Sequence, residues 1–377
     1  MRVVPMVCLA FLLCTATAWA QDPHDSAPFT SAVVCGQCHK DIHAAWKENR
    51  HSGAATTPTF LRSLAEAEAS GQPGTRRMCL MCHAPTTTLT GDLAMERTIT
   101  KESVTCDFCH SMVKARPGSD PPFELEVGLK SNVKRGPYKD ASDKDHGVAF
   151  SPIHVSALLC ATCHEYETKS GVAVLSTYTE YLEGPYARRN VPCQGCHMPI
   201  VMAQVVDPKV LADPRRFINL HRMPGGHAED QLRRALALEW EETGFGSGEL
   251  QVQVAVSNVG AGHAVPTGMP TRRVRLIVEA RTAAGKSYTK ETLFQKLVVD
   301  ASGQPIAKDG DMFLRAHAIR SDNRILPGER RVLRYSFLVP AGATRLTARL
   351  VYELSPFGGG AEETDRVVFA SIETTVS

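Results

Sequence analysis

The chain has no excess of either charge: 42 Lys and Arg stand against 40 Asp and Glu, a formal net charge of +2 over 377 residues. That balance gives no footing for a nucleic-acid or anionic-membrane partner, which a basic surface would supply. Long apolar runs are equally scarce. The run from Val3 to Leu13 is too short and wrongly flanked to span a bilayer, and no later segment is apolar enough to do so. Cysteine is absent from everything after Cys196, so the C-terminal region has no disulfide or thiol chemistry of its own. From Gln21 to about Gly246 even the apolar patterning is thin for a unit of that size.

What is present begins with a leader. Arg2, the short apolar run and the small-residue ending Ala18-Trp19-Ala20 read as a secretory signal peptide over residues 1–20, cut after Ala20. Cys8 and Cys14 fall inside it, each after a bulky residue (Val7, Leu13), which argues against a lipid-anchored cysteine. The mature protein is expected to be soluble and exported, periplasmic or otherwise outside the cytoplasm.

The other ten cysteines fall into five copies of one pattern: CGQCH (Cys35, Cys38, His39), CLMCH (Cys79, Cys82, His83), CDFCH (Cys106, Cys109, His110), CATCH (Cys160, Cys163, His164) and CQGCH (Cys193, Cys196, His197). C-x-x-C-H is the attachment signature of c-type haem. Residues i, i+3 and i+4 share one face of a helical turn. Two thiols can therefore form thioethers to the porphyrin edge while the histidine reaches the iron. Zinc sites and disulfides also use paired cysteines, but neither explains a histidine after every second cysteine with no cysteine left over. The sequence predicts five covalently attached haems c.

The chain length suits two or three domains. Residues 21–246 read as short helices and polar loops, with helices expected over Asp41–Arg50, Thr59–Ala69 and His227–Glu242 and a long surface loop over Arg116–His146. The haems must supply much of this unit's core, so the apoprotein should fold poorly. From Glu249 the texture changes. LQVQVAVSNV, RRVRLIVEAR, TLFQKLVV, RRVLRYSFLV, RLTARLVYEL and RVVFASIETTV alternate or run in β-branched residues between turn residues, which predicts an all-β, immunoglobulin-like sandwich over 247–377 without the Cys–Trp–Cys core. The fold class is thus multidomain: a mainly α and irregular multihaem domain followed by a β-sandwich.

Several segments resemble multihaem cytochromes of the cytochrome c-554 type, whose best-known member passes electrons from hydroxylamine oxidation. CGQCHKDIHAAWKENRHSGA is similar to the family's first-haem segment, with its helix, Trp46 and then His51. SALLCATCHEY, YTEYLEGPYARRNVPCQGCHMP and HRMPGGH resemble later haem segments. The likeness covers roughly residues 31–245 and implies an electron-transfer fold. This chain departs from it in having five haem sites where that member has four, and in its added β-unit.

Haem iron takes the motif histidine on one side and a second ligand on the other. Nine histidines lie outside the motifs. The family pattern implies His51. His221 and His227 flank a PGG turn that can hold both rings toward the haems; His146 closes the long loop, with His154 as its rival. His43 is expected to pack by the first haem or bind a propionate, and His24 and His317 have no supporting context. Trp46 and Tyr186 are candidates to pack on porphyrin faces or in ordinary core. In GAGHAVPTG, residues 260–268, His263 stands between glycines and Pro266 on a loop leaving a strand, which predicts a ligand donated across the domain boundary.

Five macrocycles carried by about 225 residues, a unit with a radius of gyration of roughly 17 Å, must be near neighbours. The leading reading is an electron carrier with mostly bis-histidine haems, serving redox partner proteins as donor and acceptor. Its haem propionates would favour basic docking patches on those partners. The alternative is an oxidoreductase acting on a small nitrogen or oxygen species at one open haem, and a third role makes the β-unit a docking module.

Overall fold

The computed structural model describes residues 28–127, 132–142, 145–212, 215–354 and 366–377. The leader with its two cysteines, the cut after Ala20 and His24 lie outside them. No helix among the described residues is long and apolar enough to cross a membrane.

The N-terminal region is a string of short helices, and all five C-x-x-C-H motifs sit on them: Ala32–Cys38 with His39 as its C-cap, Thr75–His83, Cys106–His110, Leu158–His164 and Cys193–His197. Local sequence explains the supporting helices. Pro58 occupies the first turn of Pro58–Glu68 and the Thr57 hydroxyl accepts the Phe60 N–H at 3.3 Å, so chain stiffness and a cap agree on the start. The expected helix Asp41–Arg50 appears as Lys40–Glu48, followed by a tight 3-10 turn over Arg50–Gly53.

Two expectations are corrected. The stretch His227–Glu242 is helical only over Glu229–Ala235; Leu236–Gly246 is a strand paired antiparallel with Glu249–Asn258. The physical reason lies in the pattern: Leu236, Leu238 and Trp240 alternate with Ala237, Glu239 and Glu241, the period of two that a half-buried strand needs. The first strand of the C-terminal sheets thus starts at Leu236, ahead of residue 247. The segment Arg116–His146 is not all loop, since Phe123–Leu125 pairs with Met112–Ala115 and Val133–Gly136 runs parallel to Gly147–Phe150.

The C-terminal region holds two larger sheets. The first orders its strands 330–337, 249–258, 236–246, and the second orders them 287–294, 273–282, 344–353, 366–376. All are antiparallel. Leu250, Val252, Val254 and Val256 point inward from the first sheet and Val274, Leu276, Val278 and Ala280 from the second, meeting in one continuous apolar core. The expected strand TLFQKLVV is divided: it turns out of the second sheet after Phe294, and Lys296–Val299 pairs instead with Ala318–Asp322. There Val298, Ile306, Met312 and Ala316 pack on Val172 and Val174 of the N-terminal region and join the two units.

Candidate cofactor site

All ten cysteines line one connected cavity of about 2440 Å³, several times the roughly 300–1,000 Å³ that holds one small ligand. Thiols of different motifs are neighbours inside it: Cys35 with Cys106, Cys82 with Cys163, and Cys160 with Cys193, each close enough to perturb the other's titration. The first and third motifs are thus neighbours, as are the second and fourth, and the fourth and fifth.

The histidines are arranged in facing pairs. Ring centroids lie 6.3 Å apart for His39 and His146, 6.3 Å for His51 and His164, 6.2 Å for His110 and His221, and 6.3 Å for His197 and His263. Two imidazoles that each put a nitrogen about 2 Å from one ion, on opposite sides, have centroids roughly 6 Å apart. The spacing therefore fits an iron between each pair. The ring planes are near parallel for His197 with His263 (21°) and His110 with His221 (27°), tilted for His39 with His146 (39°) and perpendicular for His51 with His164 (87°).

Hydrogen bonding selects which ring nitrogen is free. A backbone carbonyl only accepts, so the nitrogen that faces it carries the proton. Nδ1 of His39 donates to Val205 O (2.8 Å), that of His83 to Ala54 O (2.8 Å), that of His110 to Arg135 O (2.5 Å) and that of His197 to Pro224 O (2.7 Å). His146, His221 and His263 do the same with Gly147, Asn219 and Ala264. Each keeps the Nε2 lone pair for a metal, the orientation that outer partners impose on ligating imidazoles. Burial pushes His51 and His221 down to about 4 and His164 to about 3, so they are neutral, as a ligand must be. The residues present fit c-type haem.

The same test separates the two candidates nearest His110. His154 stacks closer, at 5.4 Å, but donates Nε2–H to Cys109 O at 3.0 Å, leaving its buried Nδ1 without a protein partner. His221 has the spacing and the free Nε2. His146 has His39 of the first motif as its ring neighbour, whereas His154 has His110 of the third. His227 lines the same cavity but is exposed and has no motif histidine as a ring neighbour; desolvation, then the fields of Arg50 and Arg272, lower its pKa. His83 consequently has no histidine opposite among the described residues, and its ring neighbour is Phe60, stacked at 4.2 Å. His43 packs on Gly36 of the first motif, where a Cβ would stand 2.7 Å from its ring; His317 is exposed. Trp46 is buried and donates Nε1–H to Val104 O, while Tyr186 packs against Gly262.

The sequence reading missed Asn49. Buried, it accepts the His51 N–H at 2.7 Å and donates to the His221 carbonyl at 2.6 Å, tying together two histidines of different sites. Its position as the cap of the turn carrying His51 is the signal that could have found it. In GAGHAVPTG, Gly260 and Gly262 do not use left-handed backbone; a Cβ at Gly260 would lie 2.0 Å from Arg234 O, so the loop is glycine-rich because protein backbone presses on it.

A family profile described as cytochrome c554 and c-prime matches residues 34–111, the stretch holding the first three motifs. Among solved structures, a penta-heme cytochrome c552 from Thermochromatium tepidum is similar with a TM-score of 0.72 and 23% identity, covering 94% of this chain and 100% of its own. That likeness extends the multihaem fold over the N-terminal region and spans the β-rich C-terminal region as well. A β-glucosidase from Kluyveromyces marxianus (TM-score 0.19, 12% identity, 38% of this chain and 14% of its own) and a wzt C-terminal domain (0.18, 15%, 38% and 70%) overlap too little to bear on the fold. No curated protein matches the sequence.

Proposed function

We propose, from the premise that this is a multihaem c-type cytochrome of the c554 kind, that the chain is an exported pentahaem electron carrier. Four of its five haems would be bis-histidine, with ligand pairs His39–His146, His51–His164, His110–His221 and His197–His263. The facing of four motif imidazoles by four further imidazoles at ligating spacing carries this reading. Bound haem c would supply a one-electron iron couple at each site. The protein's task would be to hold a pair of neutral imidazoles at each of these sites and to keep the sites near one another. Thiol adjacency supports the order first–third and second–fourth–fifth, and Cys109 lies within the field of Cys163, which closes the array between third and fourth. Two histidine ligands favour low potentials, since methionine is the ligand that raises them. The signal peptide over 1–20, the domain split, the immunoglobulin-like character of the β-unit, unidentified redox partner proteins and docking through that unit belong to the same proposal.

A second reading has a specific support. His83 lacks a facing histidine among the described residues, so the second site is the place where a small nitrogen or oxygen species would reach iron. Both readings meet one experiment. Intact mass should exceed the leader-free polypeptide by five haems, and electron paramagnetic resonance should show four low-spin sites with one high-spin. His263→Ala should add a second high-spin site; an unaltered spectrum removes His263 from the ligand set. Turnover of nitrite or hydroxylamine would favour the oxidoreductase.

A further inference from the structure

The β-unit's ligand loop is fixed from outside by one buried carboxylate of the haem unit. Glu180, on the helix Thr177–Glu183, is 8% exposed. Its Oε2 accepts the Ala264 N–H at 3.2 Å and the Thr267 hydroxyl at 2.7 Å, one residue and four residues beyond His263. Its Oε1 accepts Arg324 Nη1 at 2.7 Å and the Ser176 hydroxyl at 2.8 Å. Arg324, 6% exposed, also donates to Pro266 O at 3.2 Å and to both oxygens of Asp322. On the other side of His263, its own carbonyl accepts Asn258 Nδ2 at 2.9 Å.

The contact is close along its length. A Cβ at Gly184, which ends the Glu180 helix, would stand 2.5 Å from Gly262 O. Every oxygen of the Glu180 carboxylate is engaged with the loop or with the arginine that braces it. A buried carboxylate with this many donors is costly unless its partners are in place. The network therefore tolerates one position of the loop and penalises others.

We infer that Glu180 is the positioning residue for His263, so that the haem unit itself sets where the β-unit's imidazole stands opposite His197. This rests on the reading of His263 as a ligand. The Glu180–Arg324 pair then acts as a lock between the units: with it engaged, the ring is held at ligating distance; with it broken, the loop is free to withdraw. Glu180 touches neither iron nor His263's ring, and acts through the Ala264 N–H and the Thr267 hydroxyl.

The test uses the full-length, haem-loaded protein with Glu180→Gln, which keeps shape but loses the charge and one acceptor, and with the milder Thr267→Val. His263→Ala is the reference. The expected result is that Glu180→Gln turns a fraction of the His197 site high-spin and shifts that haem's potential while the other sites keep their signals. Added imidazole should restore that site's low-spin spectrum, and the unaltered signals of the other sites would distinguish this local loss from general unfolding. Thr267→Val should move the same signal less. If His263→Ala changes one site but both other variants leave its spin state and potential unaltered, the positioning role is overturned and the ligand reading stands. If His263→Ala changes nothing, the ligand reading fails first, and the positioning role with it.

Discussion

The two units of the molecule are held together in opposite ways. In the β-unit a continuous core gathers Leu250, Leu276, Phe294, Phe337, Leu346 and their neighbours, most fully buried. In the haem unit the buried apolar residues form small separate clusters, one around Phe60, Leu64 and Leu80 and another around Phe108, Met112 and Phe123, arranged about the large cavity. Apolar burial supplies the main drive to fold. The β-unit generates that drive within its own sequence, whereas the N-terminal unit, with its small clusters about a large cavity, would have to draw it from bound haem. The difference teaches where each unit is vulnerable.

The largest expected effect removes that bound haem. Replacing all ten motif cysteines by serine should leave the haem unit unfolded and the β-unit intact. Limited proteolysis followed by mass measurement should yield a resistant fragment starting near Leu236, where the first strand begins. Resistance of the whole chain would show that the comparison is wrong.

A smaller effect sharpens the same contrast inside the haem-loaded protein. Leu276 is fully buried in the continuous core, and Leu64 is buried in a cluster beside the cavity. Leucine-to-alanine changes in cores cost about 2–5 kcal/mol, depending on how far the site can collapse. Leu276→Ala should lie toward the upper end and Leu64→Ala toward the lower, because fewer packed side chains surround it. Denaturant unfolding of each variant, followed by circular dichroism, checks the order. Equal costs would deny that the two cores differ in kind.

How much of this is legible in the sequence follows from the range of the interactions. The haem motifs are five-residue patterns and the strands RRVRLIVEAR and RLTARLVYEL carry their own alternation, so both can be read locally. The pairing of His51 with His164, or of His39 with His146, joins residues far apart in sequence, and only their supply can be counted. His227 sits on the same turn as His221, yet only His221 has a motif imidazole as its ring neighbour, and spacing along the chain cannot tell the two apart. Asn49 and Glu180 look like ordinary polar residues on short elements; their roles exist only through neighbours that folding brings to them. LALEWEE reads as helix because an acidic start and several helix formers outweigh an alternation of only three apolar positions.

The smallest effect concerns charge in the unit that needs no cofactor. Glu353, 2% exposed at the end of strand Thr344–Glu353, accepts Arg273 Nε at 2.8 Å and Arg275 Nε at 3.1 Å. Burial alone would raise its pKa, but the hydrogen bond from Arg275 and the charges of both arginines outweigh that and hold the carboxyl below its usual range. A carboxyl whose folded pKa is depressed stabilises the fold above its unfolded value, about 4.3, and loses that contribution as pH falls through the folded one. Glu353→Gln should therefore cost about 1–3 kcal/mol at neutral pH, where the wild-type side chain is a charged acceptor. The gap between the two proteins should close as pH drops below about 4, since the wild-type carboxyl then becomes a neutral group much like the amide. Urea unfolding of both proteins at about pH 7 and about pH 3 measures it. A difference that stays constant with pH would mean that Glu353 contributes through shape and packing, as the residues around it do, and not through its charge.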